Sequence, residues 1–418
     1  MKKYVVFFLI VFMFFALNVY AQEKTLLIGV SGTYTGGFAS VGKHVCDGMT
    51  DYLNWINDRG GIQYKDPVTG KTENVTLKIF IEDNQYNVSK AVIAYRNLKA
   101  KGVNVIIGFG STPGQACSAI ASKDKIPYLS WYSYASPAGY KTKPQYYWSF
   151  LPTIAESATP MIKWFVTQKW QGRKTPKIGI IAANVPSWKM LGKPGMMDTY
   201  IKSIGGEFAG IEFIPLSITD LTGTIVKLVF QKKADCIILI GTTSQTVVLA
   251  KDLKRMKISP DKITVICSLS AWDESLFQSI PQAVKGLYGE VHAVSLEKQT
   301  PGINKVKEIA KKAGRDPEKL VMNYINGFMG AFALETAVKR GLEKYGYEKT
   351  VMSGEIIKNE LHNFKPADPF GLAPAIEVKY SDMPYFMNYA RMVKAGNGKF
   401  EDAGDWVSFD RLKGSLEF

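Results

Sequence analysis

Hydroxyl and aromatic side chains recur at three places where an open α/β sheet would present them to a small ligand. The first is Gly110-Ser111-Thr112, behind the apolar run VNVIIG and directly before Pro113. Unclaimed backbone N–H groups at a helix start, with two hydroxyls beside them, can hold a carboxylate by charge-assisted hydrogen bonds. Helix capping by Thr112 is the plainer use of the same residues. The second place is Ser130-Trp131-Tyr132-Ser133-Tyr134-Ala135, behind IPYL. Its three aromatics offer a stacking surface with hydrogen-bonding tips. Ser133, Tyr134 and Ala135 are read as pocket, and Trp131 as cover for the edge of a lobe. The third place is composite: residues 184–188, ending in Trp188; Thr242-Thr243-Ser244; and Ser270-Ala271-Trp272-Asp273. Trp188 and Trp272 are placed to close over a ligand from the far side, and Asp273 either faces it or caps the helix that follows. The candidate ligand-binding set is Ser111, Thr112, Ser133, Tyr134, Ala135, Trp188, Thr243, Ser270, Trp272 and Asp273.

Signals for catalysis are weak. The loop GTYTGGFASVG lacks both the GK[ST] ending of a phosphate-binding loop and the GxGxxG spacing. Its glycines would still let backbone N–H groups converge on a small ligand. His44, His292 and His362 match no zinc spacing, and no GxSxG nucleophile turn occurs. Asp273 and Glu274 are adjacent and diverge on a helix, so they suggest no acid/base pair. Neither an enzyme nor a bound cofactor or metal is expected.

The elements that must position these loops alternate. Residues 26–31 form a buried strand. Val41, Val45, Met49, Leu53 and Ile56 recur at helical spacing, and Gly60-Gly61 ends that helix. Val75, Leu77, Ile79 and Ile81 alternate as a strand. A helix from Ser89 to Gly102, a strand over 103–108, a helix from Thr112 and a strand over 126–130 complete a first βαβ series. A parallel sheet covered on both faces follows. A second series begins after Pro152, with strands over 177–182, 207–215, 236–241 and 263–267. LYGEVHAV, at 287–294, reads as a strand crossing between the halves. Helices over 302–313 and 324–345 follow it, then short strands over 375–378, 387–394 and 406–409, with a turn at Gly396-Asn397-Gly398. Loops at the carboxyl ends of such strands are where open α/β sheets bind ligands.

Lys2 and Lys3 precede an apolar run of about 14 residues, too short for a membrane span, which needs roughly 20. Compact residues lead up to Ala21, so 1–21 reads as a cleaved export signal. Removing it lowers the formal charge from +15 to +13. The lysines are scattered along helices without an aromatic-laced stripe, which argues against nucleic acid. No second apolar run long enough to span a membrane occurs, so no insertion of the mature chain is expected. Cys46, Cys117, Cys236 and Cys267 form no ligand spacing. Export permits disulfides, but the apolar flanks of Cys236 and Cys267 read as core strands. The length suits two domains.

Three segments carry a family resemblance: IGVSGTYTGGFASVGKHVCDGMTDYLNWINDRGGI, IEDNQYNVSKAVIAYRNLKAKGVNVIIGFGST, and DPFGLAPAIEVKYSDM near the end. In this order, after an export signal, they make the chain resemble the periplasmic type I solute-binding proteins of branched-chain amino acid ABC transporters, over nearly all of 22–418. The resemblance implies an α/β fold of two Rossmann-like lobes with parallel-rich sheets, joined by three hinge crossings and closing on a ligand. It assigns 22–151 plus about 290–366 to lobe 1, and 152–289 plus about 367–418 to lobe 2. It also implies a monomer in the periplasm that captures a small-molecule solute and delivers it to a membrane permease. The same module could instead serve a chemoreceptor or sensor kinase. By resemblance, the loops at Ser111-Thr112 and at Ser133, Tyr134 and Ala135 hold the ligand's carboxylate. Positions near Trp188, Thr243, Ser270 and Asp273 contribute from the second lobe. The chain departs from the amino-acid binders where Trp188 replaces a common tyrosine and where no acidic residue matches around Ser270. An ammonium buried without a carboxylate would lose its main charge partner, so a carboxylate- or amide-bearing solute, possibly aromatic, is the expected ligand.

Overall fold

The computed structural model describes residues 23–136, 146–379, 382–412 and 414–415. The export signal expected at 1–21 lies outside the described residues.

The apolar run from Leu26 becomes β1 (Thr25–Gly32), a central strand buried along nearly its whole length. Helices cover both faces of such a strand, which explains a continuous apolar run rather than alternation. β2 (Ile62–Lys65) pairs antiparallel with β3 (Thr72–Asp83). β3, β1, β4 (Val105–Phe109), β5 (Tyr128–Ala135) and β6 (Tyr147–Thr153) are parallel neighbours in that order. The second sheet runs from β8 (Glu207–Ile214) through β7 (Lys177–Ala183), β9 (Cys236–Ile240) and β10 (Thr264–Cys267) to β11 (Tyr288–Val291), all parallel. Beyond β11, β12 (Tyr389–Ala395) and β13 (Phe400–Asp402) are antiparallel, and β14 (Val407–Ser408) pairs with β12.

The molecule is thus two α/β lobes, and the chain passes between them three times. It leaves the first sheet after β6 and returns after β11. It then runs beside β6, where Ser149 N–H donates to Pro384 O at 3.3 Å and Met387 N–H to Phe150 O at 3.0 Å, before entering β12. In the first lobe, α1 (Ala39–Asp58), α2 (Val88–Ala100) and α3 (Ser111–Asp124) are the crossover helices. In the second, α4 (Thr243–Arg255) follows β9. On the return passage come α5 (Pro301–Lys312) and the long α6 (Met322–Tyr345), both packed on α1. Gly48 and Gly327 let α1 and α6 touch backbone to backbone. A Cβ on Gly327 would stand 1.8 Å from Val45 O, and one on Gly48 2.1 Å from Tyr324 O.

The structure departs from the sequence reading at several strands, β2 and β13 among them. Residues 130–135, read as a loop, continue β5 to Ala135, with every residue buried. β6 is a further strand of the first sheet; it too is buried on both faces, so alternation gives no sign of it. The strand expected over 375–378 is only a single bridge between Ile376 and Ala367. No helix among the described residues is long and apolar enough to cross a membrane. All four cysteines are buried free thiols.

Candidate functional site

The carboxyl end of β5 meets the loops that follow β7 and β10 across the interlobe cleft. Gly110 turns the chain from β4 into α3 with φ +94°, a conformation suited to glycine; a Cβ there would also strike the Tyr86 ring at 2.5 Å. Ser111 is the first residue of α3, and its Oγ accepts the Tyr134 N–H at 2.9 Å. That bond ties β5 to the helix start and leaves the Ser111 hydroxyl one proton to donate, with the Tyr86 phenol beside it. Thr112 is no cap: it meets the phenol of Tyr86, which also faces Ser111, and burial raises the pKa of that phenol. Tyr86 is stacked on Phe38 with ring centres 4.0 Å apart. The glycine-rich loop is anchored to the end of β3 instead of lying open: Tyr34 N–H and the Thr35 hydroxyl both donate to Asp83, at 3.0 and 2.6 Å.

Along β5 the hydroxyls take different roles. Ser133 donates back to Ser130 O, and Ala135 pairs with Thr153 of β6. The Tyr134 phenol reaches the second lobe, where it faces Ser270 and Ser268; burial and then the charge of Glu290 push its pKa well up. Trp188 meets Tyr134 edge to face at 5.8 Å. It is 2 % exposed, and its Nε1–H is buried without a partner. Ser270 donates to Gly241 O at 2.7 Å, and Thr243 opens α4, nearly buried. Trp272 fills space in the second lobe: its ring stacks on Phe400 with centres 5.0 Å apart and lies on Gly289, where a Cβ would be 2.0 Å from it. Asp273 is buried and fully engaged, accepting from Ser275 N–H at 2.9 Å, from the Ser275 hydroxyl, and from Asn323 Nδ2 at 2.9 Å. Burial raises its pKa.

Ser111, Thr112, Tyr134, Trp188 and Ser270 therefore converge. Thr243 is the first residue of α4, and Trp272 packs within the second lobe. Sequence reasoning did not single out Tyr86, Asn323 or Glu290. Glu290 is 1 % exposed, accepts Leu269 N–H at 3.3 Å and sits 3.2 Å from His292 Nε2. A carboxylate inside an apolar strand such as LYGEV is the signal that could have marked it. Tyr132, passed over within its aromatic cluster, has φ +50°, rare for a bulky residue. Its hydroxyl lies 3.1 Å from Leu269 O and 2.5 Å from Asn323 Oδ1, so it reaches the other lobe. No group of three or more His, Cys, Asp or Glu that could hold a metal occurs among the described residues.

The profile described as "Periplasmic binding protein" matches residues 25–379. A substrate-binding protein of an ABC transporter from Aeropyrum pernix aligns with a TM-score of 0.78 at 20% identity, over 95% of this chain and 100% of that one. A branched-chain amino acid ABC transporter protein from Thermus thermophilus with bound valine gives 0.75 at 16% identity, over 94% and 98%. A solute-binding protein from Rhodopseudomonas palustris BisB5 in complex with 3,4-dihydroxybenzoic acid gives 0.70 at 19%, over 93% and 99%. A search of the proteins of curated function finds no match.

Proposed function

Because the chain belongs to the periplasmic binding protein family, we propose that it is the extracytoplasmic solute-capturing component of an ABC importer. It closes its lobes on a small carboxylate- or amide-bearing solute, of aromatic character, and presents the shut form to a membrane permease. Ligand contacts both lobes only when they are together, so binding shifts the population toward the closed form.

One observation carries the ligand class. The indole N–H of Trp188 is buried without a partner, edge-on to Tyr134 of the opposite lobe. A donor left unpaired in the interior costs about 1–3 kcal/mol, which an acceptor oxygen on the ligand would recover. The Ser111 hydroxyl, the backbone at Thr112, Tyr134 and Thr243 would supply the other hydrogen bonds. Asp273 already accepts three hydrogen bonds, against two partners for Glu290, and has the less capacity left for an ammonium. A branched-chain amino acid is the rival, and the buried Glu290, whose charge is felt at Tyr134, supports it. Glu290 would then balance the ammonium.

A thermal-shift panel on protein stripped of solute by unfolding and refolding tests the reading. It would contain leucine, valine, 4-hydroxybenzoate, 3,4-dihydroxybenzoate and short amides. Solute at about 100 times its Kd adds about 2.7 kcal/mol. Shifts with the aromatic acids or amides are expected. A shift confined to leucine and valine, abolished in Glu290→Gln, would replace the proposal with the rival.

A further inference from the structure

At one side of the cleft the lobes hold each other without any ligand between them. Asp273 and Glu274 follow β10 in the second lobe, and both clasp the start of α6, which packs on α1 of the first lobe. Met322 N–H donates to Glu274 Oε2 at 2.7 Å, and Asn323 Nδ2 donates to Asp273 Oδ2 at 2.9 Å. On its other side, Asn323 Oδ1 meets the Tyr132 hydroxyl, itself in reach of Leu269 O. Glu274 is half-buried as a residue, but its Oε1 is shut away from water with no partner. An oxygen left bare in that position costs a charged carboxylate more than a neutral carboxylic acid.

We propose that the clasp of Asp273 and Glu274 on the start of α6 is a proton-gated latch, which sets how much of the protein is shut before solute arrives. This rests on the reading that the protein works by lobe closure, but it does not depend on which solute is bound.

The surroundings fix the direction. Burial, reinforced by the charge of Asp273 and only partly opposed by the Met322 N–H, lifts the Glu274 pKa to about 8. Glu297 adds a further negative charge from the segment before α5. The nearest cations are engaged elsewhere: around the cavity of about 280 Å³ that Glu274 lines, Lys307 pairs with Glu318 at 3.0 Å and Lys319 with Asp316 at 3.6 Å. With the lobes apart Glu274 meets water and titrates near 4.3, so between that value and about 8 closure takes up a proton. Falling pH through this window favours the shut form by up to about tenfold per unit. His44 of α1 faces Asp273 and works the other way. Burial lowers its pKa against the pull of Asp273 and Asp47 and with the push of Lys43 and Arg315, so below about 6.5 closure expels its proton and the gain levels off.

Small-angle X-ray scattering of the full, ligand-free protein at pH 8.5 and 6.5 tests this without any solute. The wild type should have the smaller radius of gyration at pH 6.5. Glu274→Gln, which keeps an acceptor for Met322 N–H and carries no charge, should be compact at both values. Asn323→Ala, which unhooks Asp273 from the first lobe, should be more extended than wild type at both. Circular dichroism melts establish that each variant folds, and the wild-type and Asn323→Ala curves decide the matter should Glu274→Gln not fold. A wild-type radius independent of pH, or an unchanged pH response in a folded Glu274→Gln, would overturn the latch. A failed solute panel would leave this result standing, since no solute enters it.

Discussion

Trp188 illustrates how a single buried atom constrains a ligand. Its indole is nearly as buried as any in the protein, yet its one donor has no acceptor, a debt that folding alone does not settle. Trp188→Phe removes the donor while keeping most of the ring. It should weaken the solute found by the panel about tenfold, or about 1.4 kcal/mol, and leave the melting temperature of ligand-free protein level or slightly higher. Isothermal titration of both proteins checks this, and equal affinities would remove Trp188 Nε1 from the binding account. The cysteines give a second test at this scale. Burial pushes the thiols of Cys46, Cys117 and Cys267 up to about 12 and that of Cys236 well up, and the thiolate is the reactive form. A colorimetric disulfide reagent should find almost no thiol in native protein at pH 8 and all four in guanidinium. Rapid native labelling would mean that a core strand opens.

The elements that place the site depend on contacts too tight for any side chain. α6 is far from α1 in sequence, but it lies against it through Gly327 and Gly48. Its first turn carries Met322 and Asn323, so the approach of the two helices sets where the interlobe contacts fall. Gly327→Ala has to push the helices apart, and overpacking of this kind costs about 1–3 kcal/mol. A loss of that size in denaturant unfolding is expected. Gly223→Ala, in a short helix where nothing lies within 4 Å of the added Cβ, should be neutral or slightly stabilising. Equal behaviour of the two variants would show that α6 can shift away without cost. β5 makes a different demand. Its register against β6 slips between Ser130 and Tyr134, and Tyr132 adopts φ +50° within the slip. The irregular stretch is where one phenol turns to Leu269 and the next meets Trp188.

Across the whole molecule, one hydrophobic cluster runs from Leu26 in β1 to Leu412, through both sheets and the hinge passages. Phe150 beside the first passage and His292 at the second are in ring contact at 5.7 Å, and His292 meets Phe409 at the same distance. A continuous core couples the lobes, so calorimetry should show a single unfolding transition that a saturating solute raises as one. Two transitions, only one of them moved by solute, would mean that the lobes melt independently and that the hinge packing contributes little to their coupling.

Much of this protein was legible in its residues. Period and punctuation were enough for the alternating strands and helices, because they report which face of each local segment is buried. The family segments pointed to two closing lobes, and their residue types marked Ser111, Thr112, Tyr134, Trp188 and Ser270 as candidate ligand contacts, which the fold brings near one another. β6 and the full length of β5 were not legible, since a strand buried on both faces has no alternation to read. Nor could the sequence show that Trp272 packs on Gly289 and Phe400, that Asp273 answers to Asn323, or that Tyr132 reaches Leu269, 137 residues away. Those pairings join distant segments, and only tertiary packing, within the second lobe for Trp272 and between the lobes for the others, decides which groups meet and which, like Trp188 Nε1 and Glu274 Oε1, are left unpaired.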